Sequence, residues 1–146
     1  MEEQKKTIFL TDDNATYLNI GKTALEHLYT VVTIPSGEKL LLLMKKNIPD
    51  LILLDVEMPG MNGYEIIKAI KSDPNSAEIP VIFMTGKGDI EDEHYGFLLG
   101  AADYITKPFS QSLLLKRVEL HIALQSQRDE LRALKANPQR GGNNNA

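Results

Sequence analysis

Short apolar runs alternate with longer stretches in which apolar positions recur every three or four residues. That alternation predicts strand, helix, strand, helix along most of the chain. Thr7–Leu10 reads as a strand and Asn14–Tyr29 as a helix. Thr30–Ile34 is β-branched and strand-like. Ser36 can cap a helix running to about Asn47, where Pro49 blocks continuation. Leu51–Leu54 is a continuous apolar strand. Asn62 can cap a helix to about Ser72, ended by Asp73-Pro74. Ile79–Met84 is a further strand, Asp89 opens a helix toward Gly100, Asp103–Thr106 is a short strand, and Ser110 opens the last helix.

The central runs carry no polar alternation, as strands buried on both faces do. Strand-helix alternation implies right-handed crossovers and a parallel sheet covered on both sides. In such sheets ligands bind at the C-terminal ends of the strands. The chemistry-bearing residues fall there. Asp12 and Asp13 follow Ile8-Phe9-Leu10-Thr11, Asp55 follows Leu51-Ile52-Leu53-Leu54, Thr85 follows Ile82-Phe83-Met84, and Lys107 follows Tyr104-Ile105-Thr106. Two like charges about 4 Å apart repel by roughly 4 kcal/mol at an effective dielectric near 20. Three carboxylates on one edge therefore point to a bound cation, a chemically used carboxylate, or both.

Composition narrows the class. With 146 residues, 42% hydrophobic and 25% charged, the chain suits one globular domain with a real core. A net charge of −4 disfavours generic nucleic-acid binding. The absence of cysteine removes disulfides, thiolate metal sites and cysteine nucleophiles. The segment after Met1-Glu2-Glu3-Gln4-Lys5-Lys6 has no signal-peptide run, and Leu40 to Met44 is too short to span a bilayer. The expectation is a cytoplasmic protein without direct membrane contact. His27, His94 and His121 share no metal-ligand spacing and are expected on helix surfaces.

Taken together, Asp12-Asp13, the segment Leu53-Leu54-Asp55-Val56-Glu57-Met58-Pro59-Gly60-Met61-Asn62-Gly63, Met84-Thr85-Gly86 and Gly100-Ala101-Ala102-Asp103-Tyr104-Ile105-Thr106-Lys107-Pro108-Phe109 closely resemble the receiver domain of two-component response regulators. The resemblance implies a flavodoxin-like, doubly wound α/β fold with a five-strand parallel sheet in the order 2-1-3-4-5. It implies that Asp55 accepts a phosphoryl group from a sensor histidine kinase or histidine phosphotransfer protein. Asp13 and Asp55 would bind Mg²⁺ directly, with the Glu57 backbone carbonyl as a further ligand and Asp12 acting mostly through water. Lys107 would supply positive charge to the phosphoryl oxygens, with a cis bond to Pro108 aiming it inward. Thr85 would hydrogen-bond a phosphoryl oxygen, with room left by Gly86, and Thr85 and Tyr104 would form the switch. Glu57 and Lys87 flank the water route in that family and would modulate the lifetime of the phosphorylated state. The domain would be no enzyme beyond its own phosphorylation and dephosphorylation.

Two other classes use similar parts. A phosphatase or mutase with an aspartyl nucleophile carries a second Asp two residues on, where this chain has Glu57. A flavodoxin-like FMN carrier needs a hydroxyl-rich phosphate loop, and Asp12-Asp13-Asn14 would repel that phosphate. The expected organisation is a receiver over 5–123, a helical extension or linker over 124–136 and a disordered tail over 137–146. The last helix, from Ser110 to about Ala136, would span about 40 Å at 1.5 Å per residue. Leu113, Arg117, Leu120, Leu124, Gln127, Leu131 and Leu134 follow a coiled-coil rhythm, so a homodimer through this helix is a candidate. Its Arg117-Val118-Glu119-Leu120-His121-Ile122 segment resembles receivers that precede cyclic-di-GMP or kinase-type domains. A stand-alone receiver and the front of a larger regulator both remain open.

Overall fold

Each apolar run pairs in parallel with its neighbours, and the amphipathic stretches cover the sheet formed. The computed structural model describes residues 4–86 and 90–136; Lys87, the expected helix start at Asp89 and the expected disordered tail over 137–146 lie outside the described residues. The elements are β1 (Thr7–Thr11), α1 (Ala15–Leu25), β2 (Thr30–Ile34), α2 (Gly37–Met44), β3 (Leu51–Asp55), α3 (Gly63–Ser72), β4 (Val81–Thr85), α4 (Ile90–Leu98), β5 (Asp103–Thr106) and α5 (Gln111–Ala136). The sheet order is β2-β1-β3-β4-β5, all parallel. This is the doubly wound, flavodoxin-like α/β fold with a long last helix.

Two cores lie on the two faces, because successive strand residues point oppositely. Phe9, Ile52, Leu54, Phe83 and Tyr104 pack with Leu40, Ile66, Ile67 and Ile70 from α2 and α3. Ile8, Leu10, Leu51, Leu53, Ile82, Met84 and Ile105 pack with Ala24 and Leu25 of α1 and with Leu114 and Val118 of α5. Every residue of β3 and β4 is buried, which accounts for the apolar run that precedes Asp55 and Thr85 at their ends.

Local signals set most helix starts. The Asn14 side chain accepts hydrogen bonds from the Thr16 and Tyr17 N–H groups. Ser36 caps α2, and Asn62 forms a reciprocal capping box with Glu65 at α3. The Ser110 hydroxyl accepts from the Leu113 N–H at the start of α5. The first helix is shorter than the expected Asn14–Tyr29. It ends at Leu25, where the Leu28 and Tyr29 N–H groups both turn back to the Leu25 carbonyl. Burial of Tyr29 and pairing of Thr30 with Thr7 then commit the chain to β2.

Candidate functional site

The parallel register brings the ends of β1, β3, β4 and β5 to one edge. Asp55 closes β3 and is 5% exposed, Asp12 directly follows β1 and is fully buried, and Asp13 beside it faces solvent. One carboxylate oxygen from each of the three lies within 4.8 Å of the others. Lys107, carried past β5, places Nζ 2.6 Å from Asp12 Oδ2 and 3.4 Å from Asp55 Oδ1. Its own N–H donates to the Thr85 carbonyl at 2.7 Å, so the ends of β4 and β5 are tied together. The Lys107-Pro108 peptide is cis, as the resemblance implied.

The loops are held tightly. Asp12 Oδ1 accepts from the Asn14 N–H at 2.9 Å, and Asp55 Oδ1 accepts from the Glu57 N–H at 3.3 Å. The start of α3 approaches the end of β3 so closely that only glycine fits. A Cβ on Gly63 would fall 2.7 Å from the Asp55 carbonyl oxygen and 2.9 Å from Val56 Cα. Those atoms are backbone and cannot step aside. Between this loop and Thr85 lies a cavity of about 500 Å³, lined among others by Glu57, Met58, Asn62, Tyr64 and Thr85. Glu57 is exposed at its rim.

Electrostatics distinguish Asp55 from an ordinary carboxylate. Burial, and then the neighbouring Asp12 charge, push its carboxyl up to about 7, against the opposing pull of Lys107. Asp12, Asp13 and Asp55 converge here, and the Lys107 ammonium meets two of them. This donor set fits a hard divalent cation: it offers only oxygen, from converging carboxylates, with a charge excess that a dication would offset. No other such cluster of three occurs among the described residues.

Thr85 is 4% exposed at the end of β4, opposite Thr106. Tyr104 lies opposite Phe83 and is 8% exposed. The expected partnership of Glu57 with Lys87 cannot be placed, because Lys87 lies outside the described residues.

Sequence reasoning missed two aromatic residues. The Lys107 ammonium sits 4.2 Å from the centroid of the Tyr17 ring, and Tyr17 packs on Phe109 at 5.6 Å. Tyr64 lines the cavity and brings its hydroxyl to 3.5 Å from that of Tyr104. The Asn14 cap was a usable signal for Tyr17, since it seats the first turn of α1 over the acidic edge. His27 and His94 are exposed as expected, and His121 is partly buried on α5. It meets Asp103 Oδ2 at 3.0 Å with its side chain 12% exposed.

The family model described as the response regulator receiver domain matches residues 8–119. This chain belongs to the response regulator receiver domains. It is 42% identical over 125 residues to a probable cyclic di-GMP phosphodiesterase of Vibrio cholerae serotype O1, covering 86% of this chain and 28% of that protein. It is 37% identical to the probable transcriptional regulator ycf27 of Pyropia yezoensis, covering 81% of this chain and 48% of that protein. The receiver thus spans half or less of the length of these relatives. Among solved structures, a putative response regulator from Chloroflexus aurantiacus superposes with a TM-score of 0.79 at 34% identity, covering 82% of this chain and 99% of that one. Receiver domains are phosphoacceptor switches that work with histidine kinases and output domains. No helix among the described residues is long and apolar enough to cross a membrane.

Proposed function

We propose that Asp55 is the phosphoacceptor and that Asp12, Asp13, Asp55 and the Glu57 backbone carbonyl hold Mg²⁺. The observation that carries this reading is the Lys107 ammonium set between two buried carboxylates, Asp12 and Asp55, at the ends of neighbouring strands. In the transfer an Asp55 oxygen bonds to the phosphorus of a phosphohistidine on a kinase or phosphotransfer protein. The P–N bond breaks and the imidazole leaves with the bonding pair, taking up a proton. Mg²⁺, when bound, neutralises the acceptor carboxylate and the transferring oxygens. Lys107 adds a point charge to the same oxygens, and Tyr17 and Asp12 confine its ammonium. The Thr85 hydroxyl donates a hydrogen bond to a phosphoryl oxygen, and Tyr104 follows it as the switch. Hydrolysis restores the carboxylate, so the domain catalyses only its own phosphorylation and dephosphorylation, in the cytoplasm. Acetyl phosphate with Mg²⁺ should add one phosphoryl group, and Asp55→Asn should abolish it. Undiminished labelling of that variant, read by intact mass, overturns the assignment.

The last helix supports a reading at the level of assembly. One face of α5 is core, through Leu114 and Val118. A second face exposes Leu113, Leu120, Leu124, Leu131 and Leu134. In a parallel pair with Leu124 and Leu131 at a positions, Glu130 and Lys135 take the g and following e positions, opposite in sign across the seam. A second copy of the chain is the proposed occupant. The mass in solution of the full chain should exceed that of a monomer, while a chain ending at Ile122 should be monomeric. Monomers in both cases overturn the pairing. The cyclic-di-GMP-related relative favours an output domain of that chemistry over a DNA-binding one as the partner in a larger regulator.

A further inference from the structure

Tyr104 is held by its aromatic neighbours. Its ring lies edge-on or tilted between Phe83, at 5.3 Å and 49°, and Phe97, at 5.5 Å and 64°. Its hydroxyl faces that of Tyr64 at 3.5 Å. Tyr64 is itself braced edge-on by Phe83 at 5.5 Å and by Tyr95 at 5.0 Å. A further wall is Gly96, a buried residue inside α4. A Cβ built there would stand 2.7 Å from Tyr104 Cε2 and Cζ, and closer still to the hydroxyl oxygen. Real Cβ atoms do not approach carbon atoms to that distance, so the ring occupies the volume that any other residue would fill.

A helical glycine is unfavourable relative to alanine by up to about 1 kcal/mol through backbone entropy, and Gly96 lies in the last turn of α4. In α4 that loss is offset only while the Tyr104 ring is buried against Gly96. The colliding group is a side chain able to rotate about χ1, not backbone. Filling the slot should therefore expel the ring without dismantling the fold.

We propose that Gly96 is a positioning residue for the switch. Its missing side chain forms the slot that accepts the Tyr104 ring, and the Tyr64 hydroxyl marks the slot's far end. Together they set the balance between ring-in and ring-out packings. Tyr64 also lines the cavity next to Thr85. The slot and the phosphoryl site therefore share a wall, and a change at Thr85 reaches the ring through Tyr64 as well as along β4. The inference rests on the reading that Tyr104 responds to phosphorylation.

The test is Gly96→Ala with the Tyr104 ring observed by fluorine NMR of fluorotyrosine-labelled protein, its signal assigned with Tyr104→Phe. The ring signal should move to the solvent-exposed position in the variant, with Asp55 labelling by acetyl phosphate retained. Thermal melting supplies an independent sign. Gly96→Ala should lower Tm in the Tyr104 background and raise it in a Tyr104→Ala background, where the slot is empty and only helix propensity remains. Tyr64→Phe, which keeps the rings and removes one hydroxyl, should shift the ring signal by less in the same direction. A ring that stays buried in Gly96→Ala, or a Tm change of the same sign in both backgrounds, overturns the slot. Phosphorylation of the unaltered chain separates the two readings. An exposed ring in Gly96→Ala with no Tyr104 response to phosphorylation in the unaltered chain would leave the slot standing and remove the switch. A phosphorylation response that Gly96→Ala leaves unchanged would do the reverse.

Discussion

Asp55 and Asp103 are both aspartates held at strand ends in partly dry surroundings, yet the fold treats them oppositely. Burial pushes both upward. Asp55 is buried, has a second carboxylate, Asp12, as its neighbour and shares the Lys107 ammonium with it, so it rises to about 7. Asp103 receives both carboxylate oxygens' worth of bonds from Arg117 Nη1, at 2.8 and 2.9 Å, with His121 at 3.0 Å and the Tyr104 N–H at 2.8 Å. Hydrogen bonds from His121 and Arg117 outweigh burial there and hold it below the ordinary carboxylate range. Burial alone therefore does not make a reactive carboxylate. What separates the two is whether the charge is satisfied within the chain or left to be satisfied by a ligand.

The largest expected effect is at the unsatisfied carboxylate. Between the ordinary aspartate value and about 7, the folded metal-free chain binds more protons at Asp55 than the unfolded chain does. Stability should therefore fall as pH rises through that window. Asp55→Asn should remove the fall and stabilise the metal-free domain above neutral pH by on the order of 2 kcal/mol. Mg²⁺ should raise the Tm of the unaltered chain and leave that of the variant nearly unchanged. Melting curves from pH 4 to 8, with EDTA and with Mg²⁺, check both. A destabilised variant at pH 8 in EDTA would break the contrast between the two aspartates.

A smaller effect of opposite sign is expected at the satisfied one. Asp103→Asn should destabilise the domain by about 1 kcal/mol, a figure kept low because Arg117 is partly exposed and screened. A depressed carboxyl contributes stability that is fully present above its unfolded value and lost as pH falls through the folded one. The gap between variant and unaltered chain should thus be constant at neutral pH and close in acid, below about pH 4. Acid titration followed by circular dichroism measures it, and Asp55 labelling should be unaffected. A gap that opens in acid would refute the clasp.

The same contrast explains what could be seen in the sequence. The acidic edge was legible because Asp12, Asp13, Asp55, Thr85 and Lys107 each directly follow an apolar run, and parallel pairing aligns such ends. The helix starts at Asn14, Ser36, Asn62 and Ser110 were legible for similar local reasons, while the strand order came with the family resemblance. The Asp103 clasp was not. Its partners lie on α5, and nothing local shows that β5 and α5 pack with Arg117 and His121 inward. Their spacing of one helical turn was the available hint, but Arg117 reads first as a flaw in the leucine seam. The structure resolves that flaw, since the residue faces Asp103. Gly96 was equally silent, because a slot is defined by the ring that fills it.

If Tyr104 moves as proposed, the clasp would let α5 act as a lever. Asp103 is covalently next to Tyr104 and bonded back to its N–H, so the proposed switch residue and the clasp on the helix are one unit. From Arg117 to Ala136 the helix extends about 28 Å at 1.5 Å per residue. A 5° swing about the clasp, which displaces atoms at Arg117 hardly at all, would carry the far end of that arm sideways by roughly 2 Å. The exposed leucines near that end, Leu131 and Leu134, would then be out of step with any surface they had been seated against.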